Sequence, residues 1–277
     1  MTVASGVQAS TERAQRQSVA RVLTWMEDRL AEPVDLAQMA DVAYMSPYHF
    51  LRTFRQITGV PPKQFLAARR VELAKRRLLE TERSVLDICY DVGYSSLGTF
   101  TRRFTELVGL SPGRFRQLVE TFYPDLDSLL AVASSCPLPE GGQRLRSRVE
   151  RTRPDQVVFA GLFDSPVPQG RPLSCAVLLE DDDSFQLAAP AGGPLWLFAA
   201  AMAGDSDPID LLVGGRAIRA VAGAGPLTVE AGVDPEDQHL RLAPPNPFDP
   251  PMLLALPLLL HERAVDLDYE GVLDLEL

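Results

Sequence analysis

LAQMADVAYMSPYHFLRTFRQITGVPPKQF (residues 36–65) and LDICYDVGYSSLGTFTRRFTELVGLSPGRF (residues 86–115) are one pattern written twice at an offset of 50 residues. Leu36/Leu86, Asp41/Asp91, Val42/Val92, Tyr44/Tyr94, Ser46/Ser96, Phe50/Phe100, Arg52/Arg102, Phe54/Phe104, Gly59/Gly109, Pro62/Pro112 and Phe65/Phe115 make 11 identities in 30 ungapped positions. Only two copies occur, so this is a duplicated supersecondary unit and not a solenoid array. A unit used twice along one chain fits a partner that offers the same surface twice, as double-helical DNA does once per turn.

Each copy reads as a short helix, a turn (Val42-Ala43-Tyr44 or Val92-Gly93-Tyr94) and a longer helix, which is the helix-turn-helix plan. Ser46-Pro47 supplies an N-cap and a proline at the first helical position, and Gly59 supplies the stop. In the second copy Ser96 and Gly109 do the same. Phe50 and Phe54, like Phe100 and Phe104, stand four residues apart and form one apolar ridge that belongs to a core. The face opposite that ridge is free to enter a major groove, which is wide enough for a helix.

The copies diverge at the tips of their second helices. One opens Ser46-Pro47-Tyr48-His49, the other Ser96-Leu97-Gly98-Thr99. Tyr48 and His49 carry aromatic and hydrogen-bonding groups, Leu97 suits a thymine methyl, Gly98 permits close approach and Thr99 offers a hydroxyl. Arg52 and Arg102 follow one turn later in both copies, placed to bind guanine or clamp a phosphate.

Outward from the repeat, Val19, Val22, Leu23, Met26 and Leu30 mark a helix over Gln17–Leu30, ended near Pro33. Asp35 with Gln38 resembles a capping box, and Ser84 with Asp87 caps a fifth helix. Pro61-Pro62 starts a helix to Leu79, about 27 Å long. Its Arg69, Arg70, Lys75, Arg76 and Arg77 read as a solvated face with one or two phosphate contacts. Ser111-Pro112 opens a short seventh helix. Residues 123–155 mix Pro, Gly, Ser and Arg and read as a linker. Beyond it, short apolar runs (Val157–Phe163, Leu173–Leu179, Leu195–Ala201, Ala217–Ala222, Leu227–Val229) alternate with Pro, Gly and Asp clusters, the pattern of an all-β sandwich or small barrel. The expected architecture is therefore α + β in separate domains: seven helices over 15–122, a linker over 123–155 and a β-sandwich-like companion over 156–277.

Charge divides the chain in the same place. Residues 1–120 hold 17 Lys+Arg against 13 Asp+Glu, a net of +4, and residues 121–277 hold 10 against 24, a net of −14. This points to a polyanion met by the front half alone. Cys89, Cys136 and Cys175 lack CxxC spacing, which fits a reducing cytoplasm. No signal peptide is legible, and Met252–Leu260, broken by Pro257, is too short to span a bilayer. His49, His239 and His261 have no metal-ligand neighbours, and Asp181-Asp182-Asp183 reads as a solvated turn. No GxSxG, HExxH or P-loop pattern occurs, so neither catalytic residues, metal nor cofactor is expected.

The stretch from Arg70 to Arg116, through Leu78-Leu79, Ile88, Val92-Gly93-Tyr94, Phe100, Arg102, Phe104, Gly109, Ser111-Pro112 and Phe115-Arg116, closely resembles the signature of AraC/XylS-type bacterial transcription regulators. The first copy fits the same family, and the resemblance covers roughly residues 18–120. It implies two helix-turn-helix units joined by a long helix, with two recognition helices in adjacent major-groove segments of double-stranded DNA. Carried over by position, the base-facing residues are Tyr48, Leu51 and Arg52 in one unit and Leu97, Gly98, Thr99 and Arg102 in the other. Pro47, His49 and Ser96 complete the expected DNA-binding set. Leu51, Leu97 and Gly98 depart from the polar residues usual there, which makes direct hydrogen bonding sparser. RNA polymerase is the second expected partner; many family members place the DNA-binding half last, so the rear domain does not carry over, and its small-molecule or protein effector and the oligomeric state stay open. The rear segments GLFDSPVPQGRPLSCAVL (161–178) and SFQLAAPAGGPLWLFAAAM (184–202) resemble transthyretin-like or carboxypeptidase-regulatory-like β-sandwiches. The competing expectation is a DNA-modifying or repair enzyme with catalysis in the rear domain, since helices of this type also occur fused to repair enzymes.

Overall fold

The computed structural model describes residues 2–122, 143–179, 182–203, 218–230, 235–249 and 251–253, with side chains from Ser10 onward. Seven helices come first: α1 (Thr2–Glu27), α2 (Leu36–Ala43), α3 (Pro47–Thr58), α4 (Pro62–Glu80), α5 (Val85–Asp91), α6 (Leu97–Val108) and α7 (Pro112–Phe122). Seven strands follow among the described residues: β1 (Gln143–Glu150), β2 (Gln156–Phe163), β3 (Ser174–Leu178), β4 (Ser184–Ala189), β5 (Pro194–Ala203), β6 (Ile218–Thr228) and β7 (Gln238–Arg241). Separate α and β parts are thus observed, as expected. No described helix is long and apolar enough to cross a membrane.

The caps form where the side-chain chemistry places them. Asp35 accepts from the Gln38 amide at 2.9 Å and Gln38 Oε1 accepts from the Asp35 amide at 2.9 Å, closing the capping box. Ser46 and Ser96 each accept a backbone N–H three residues on, at 3.4 Å. Ser84 accepts from the Asp87 amide at 3.1 Å and donates to its carboxylate at 2.7 Å. Gly59 and Gly109 end their helices at φ 78° and 90°, a region that costs an L side chain energy. Helix α1 differs from expectation by starting at Thr2, a stretch too polar to show helical periodicity.

Contacts divide the chain into two compact units, with the boundary inside α6. One runs to Phe100 and includes Asn246–Pro251; the other begins at Thr101 and holds the strands. In the first, Val19, Val22 and Met26 of α1, Met39 of α2, and Phe50 and Phe54 of α3 are all at most 1% exposed. The rings of Phe50 and Phe54 meet edge-on at 5.4 Å, and Phe54 meets Phe65 of α4 at 5.7 Å.

In the second unit, strand order is β4-β1-β7 in one sheet and β3-β2-β5-β6 in the other. Leu145, Val149, Leu187 and Leu240 from the first sheet and Val158, Leu162, Leu197 and Ala201 from the second share one apolar cluster between the sheets. Strand β2 is buried along its whole length, because Val157, Phe159 and Phe163 feed a second cluster on the sheet's other face. The expected linker needs correction here. Residues 143–150 form β1, the central strand of its sheet, and β7 likewise lies outside the apolar runs expected as strands. In QRLRSRVE the buried positions are Leu145, Ser147 and Val149, alternating with exposed Arg144, Arg146, Arg148 and Glu150. This is strand periodicity without an apolar run, and β7 is equally short of one. Asp183 is held by Arg151, whose Nε lies 3.2 Å from Oδ1 and whose guanidinium also donates to the Leu179 and Asp182 carbonyls at 2.6 Å. Asp181, Cys136 and His261 lie outside the described residues.

Candidate nucleic-acid interface

Helix α3 buries Phe50, Thr53, Phe54 and Thr58 and exposes Pro47, Tyr48, His49, Leu51, Arg52, Arg55 and Gln56. Spacing of three to four residues puts Tyr48, Arg52 and Arg55 in a row directly opposite the phenylalanines, with Leu51 and His49 on its flanks. Tyr48 is 81% exposed, far more than a tyrosine serving its own fold requires. Arg52 makes no ion pair among the described residues. Arg55, three residues after Arg52, was not singled out from sequence, although that spacing announces it.

Helix α6 repeats the plan. Phe100 and Phe104 are 0% exposed; Leu97, Gly98, Thr99 and Arg102 are exposed, as is the capping Ser96. The row opposite the rings is Gly98, Arg102 and Thr105. Arg102 lies 3.7 Å from Glu106 with most of its side chain in solvent, a surface pair worth at most about 1 kcal/mol. Thr105 donates to the Thr101 carbonyl at 2.9 Å, so its hydroxyl is used locally. Nothing inside the fold requires Gly98. A Cβ built there would meet only Ser96 Oγ at 4.0 Å, and its φ is an ordinary helical one. Tyr48 and Gly98 are equivalent positions of the duplication, so the largest side-chain difference between the copies sits at the N-terminal end of the exposed row.

The basic face expected on α4 is mostly structural. Arg69 pairs with Glu27 at 2.8 Å and Glu72 at 2.5 Å. Arg70 donates to the carbonyls of Leu30 at 2.8 Å and Glu32 at 2.6 Å, and burial pulls its pKa down. Lys75 is wholly buried, and desolvation lowers its pKa to about 7 against the attraction of Glu72. Arg77 remains exposed and Arg76 half-exposed. Sequence alone could not separate these cases, because the partners of Arg69 and Arg70 come from α1 and the segment after it, about 40 residues away in sequence.

Residues 39–118 match the family model described as a helix-turn-helix domain. The HTH-type transcriptional activator AarP of Providencia stuartii is 32% identical over 119 residues, which cover 42% of this chain and 87% of that protein. The chain belongs to the AraC-type helix-turn-helix regulators. Within this family, the bifunctional transcriptional activator/DNA repair enzyme AdaA of Bacillus subtilis is 32% identical over 97 residues, 35% of this chain and 46% of that protein. The chain thus spans under half the length of AdaA. Among solved structures, the DNA-binding domain of AdpA in complex with a target DNA is 33% identical, with 39% of this chain and 96% of that one covered at a TM-score of 0.37.

Proposed function

We propose that this AraC-type chain is a bacterial transcription regulator that reads a two-part site on double-stranded DNA, with α3 and α6 as its recognition helices. One observation carries the reading. The two helices share a buried scaffold, Phe50/Phe54 and Phe100/Phe104, and a repeated exposed arginine, Arg52 and Arg102, yet differ most at the N-terminal end of the exposed row, Tyr48 against Gly98. A common frame with divergent tips suits two helices that read different short sequences. Pro47, Tyr48, His49, Leu51 and Arg52 contact one major-groove segment, and Ser96, Leu97, Gly98, Thr99 and Arg102 the next. Residues 15–122 form the DNA-binding part and the strands from β1 onward the companion. As the name of AarP indicates for that protein, the output is activation, with RNA polymerase as the second partner, in the cytoplasm.

The test is selection of binding sites from random duplex DNA, followed by gel-shift titration of Arg52→Ala and Arg102→Ala. Two dissimilar half-sites about 10 bp apart are expected. Each substitution should cost about 1–3 kcal/mol and relax specificity in its own half-site. Selection of no sequence, or of a site whose affinity neither substitution changes, would refute the reading.

A further inference from the structure

The rear part of the chain is strongly acidic in total, yet one face of it is not. Strand β1 is the central strand of its sheet, and Arg144, Arg146 and Arg148 project from its solvent face. Strand geometry spaces them about 6.6–6.8 Å apart in a straight row. Their ladder-paired neighbours carry no carboxylate, and the exposed Asp237 lies just before β7. Gln186 of β4 lies opposite Arg146, Ser184 opposite Arg148, and His239 of β7 opposite Arg148 on the other side. Glu150 is the acidic neighbour at the row's end, and Arg241 sits 3.6 Å from it. Arg144, Arg146 and Arg148 make no ion pair among the described residues.

A pair of neighbouring arginines, Arg151 and Arg153, shows that the local chain does recruit carboxylates where structure calls for them. They bond Asp183 and Asp155 respectively. Of the three outward arginines, Arg144 lies opposite the buried Ala188, whereas Arg146 and Arg148 lie opposite the polar Gln186 and Ser184; Leu145 and Val149 face the opposite side. We infer that the solvent face of the β4-β1-β7 sheet is a second DNA-contacting surface that grips the phosphate backbone of duplex flanking the site read by α3 and α6. This rests on the DNA-binding reading above and deepens it.

Geometry favours a duplex backbone as the occupant. Three guanidiniums in a straight row about 13 Å long can face several phosphates of a duplex, which carries one charge per about 1.7 Å of helix axis. Flanking serine, glutamine and histidine supply further phosphate donors. No exposed aromatic residue lies among the face's named neighbours to stack an unpaired base, which argues for backbone contact without sequence reading. The acidic remainder of the domain does not cancel the row, because charges beyond about 10 Å are largely screened at 0.1 M salt.

The experiment measures the affinity of the full chain for its selected site, with and without long flanking duplex, across a salt series. Arg144→Gln/Arg146→Gln/Arg148→Gln should bind the flanked site at least tenfold more weakly, with a log K against log salt slope shallower by about 2–3. The short site should be affected less, and the triple lysine variant should restore most of the slope. Unaltered thermal melting of the glutamine variant shows that the loss is not one of folding. An unchanged slope and affinity on flanked DNA, while the wild type still selects its site, would overturn the inference and leave the DNA-binding reading intact. If the wild type selects no site, that reading fails, and the salt slope on arbitrary duplex still decides the role of the row. Binding of poly-glutamate that depends on the three arginines, with no change on DNA, would overturn the inference in favour of an acidic protein partner.

Discussion

Tyr44 and Tyr94 hold the same position in the two copies of the duplication, yet the chain turns on one and packs the other. Tyr44 itself adopts left-handed backbone, φ 56° and ψ 43°, and is 85% exposed with the Arg21 guanidinium 5.3 Å from its ring centre. In the second copy the left-handed residue is Gly93, one position earlier, at φ 86°. That shift tucks Tyr94 inward, where its ring meets Phe100 edge-on at 5.3 Å and Arg70 lies over it at 5.8 Å. Identical residues at the repeat offset therefore sit in turns of different register.

Gly93→Ala should destabilise the chain by about 2–3 kcal/mol, since left-handed backbone alone costs an L residue about 1–2 kcal/mol. The added methyl would also sit 2.5 Å from the Leu30 carbonyl oxygen, a backbone atom that cannot swing aside. Tyr44→Gly is the counterpart. It relieves backbone strain and loses an exposed cation–π contact worth about 0.5–1 kcal/mol, so its stability should stay within about 1 kcal/mol of wild type. Thermal melting of both variants decides, and equal losses would show that the two turns are alike after all.

Much of the helical half was legible because each device is local. Ser46 bonds His49, Asp35 bonds Gln38, Gly59 stops α3, and phenylalanines four apart define the buried ridge. The exposed rows of α3 and α6 followed from the same periodicity. What escaped is long-range. Arg69 and Arg70 look like any exposed basic pair until α1 supplies Glu27 and the segment after it supplies the Leu30 and Glu32 carbonyls. Strand β1 escaped because its inward row includes Ser147 and its outward row is arginine, so neither hydrophobicity nor composition marked it as a strand.

Lys75 makes stability depend on pH in a defined direction. Its folded pKa is about 7 against an ordinary 10.5, with desolvation as the largest cause, Glu72 opposing and Arg76 assisting. The unfolded chain therefore holds more protons than the folded one between these values, and stability rises with pH across that window. Below about pH 7 the cost of burying the charge is fully present, and the gradient above it is at most about 1.4 kcal/mol per pH unit. Urea unfolding across the window should show the rise in the wild type and a flatter profile in Lys75→Met. Superimposable profiles would mean that Lys75 does not titrate there.

The loop between β2 and β3 is tied to the end of α6 inside the second compact unit. The Gly170 amide donates to the Leu107 carbonyl at 3.1 Å, and Arg171 Nε donates to the Gly109 carbonyl at 3.3 Å. Gly170 has φ 70°, and a Cβ there would lie 2.9 Å from the Glu106 carbonyl oxygen. Gly170→Val should break this tie, costing about 2 kcal/mol through strain and the two lost hydrogen bonds. Limited proteolysis should then cut within 164–173 faster than in wild type. An unchanged cleavage rate would show that the loop is held by other contacts.

Gly98 allows a demand of the fold to be told from the proposed DNA contact. Within a helix, glycine costs about 0.5–1 kcal/mol relative to alanine, and the space around Gly98 is open. Gly98→Ala should therefore leave the chain as stable as wild type or slightly more so. If α6 reads DNA as proposed, a methyl at the N-terminal end of its exposed row, one turn before Arg102, would meet the groove floor, and affinity should fall by about 1–3 kcal/mol. The loss should map to the half-site read by α6, leaving the half-site read by Tyr48 and Arg52 untouched. Melting and gel-shift titration on sites mutated in either half give both numbers. A variant that is more stable and binds equally well would remove Gly98 from the DNA-contacting row and place the reading of that half-site on Leu97, Thr99 and Arg102 alone.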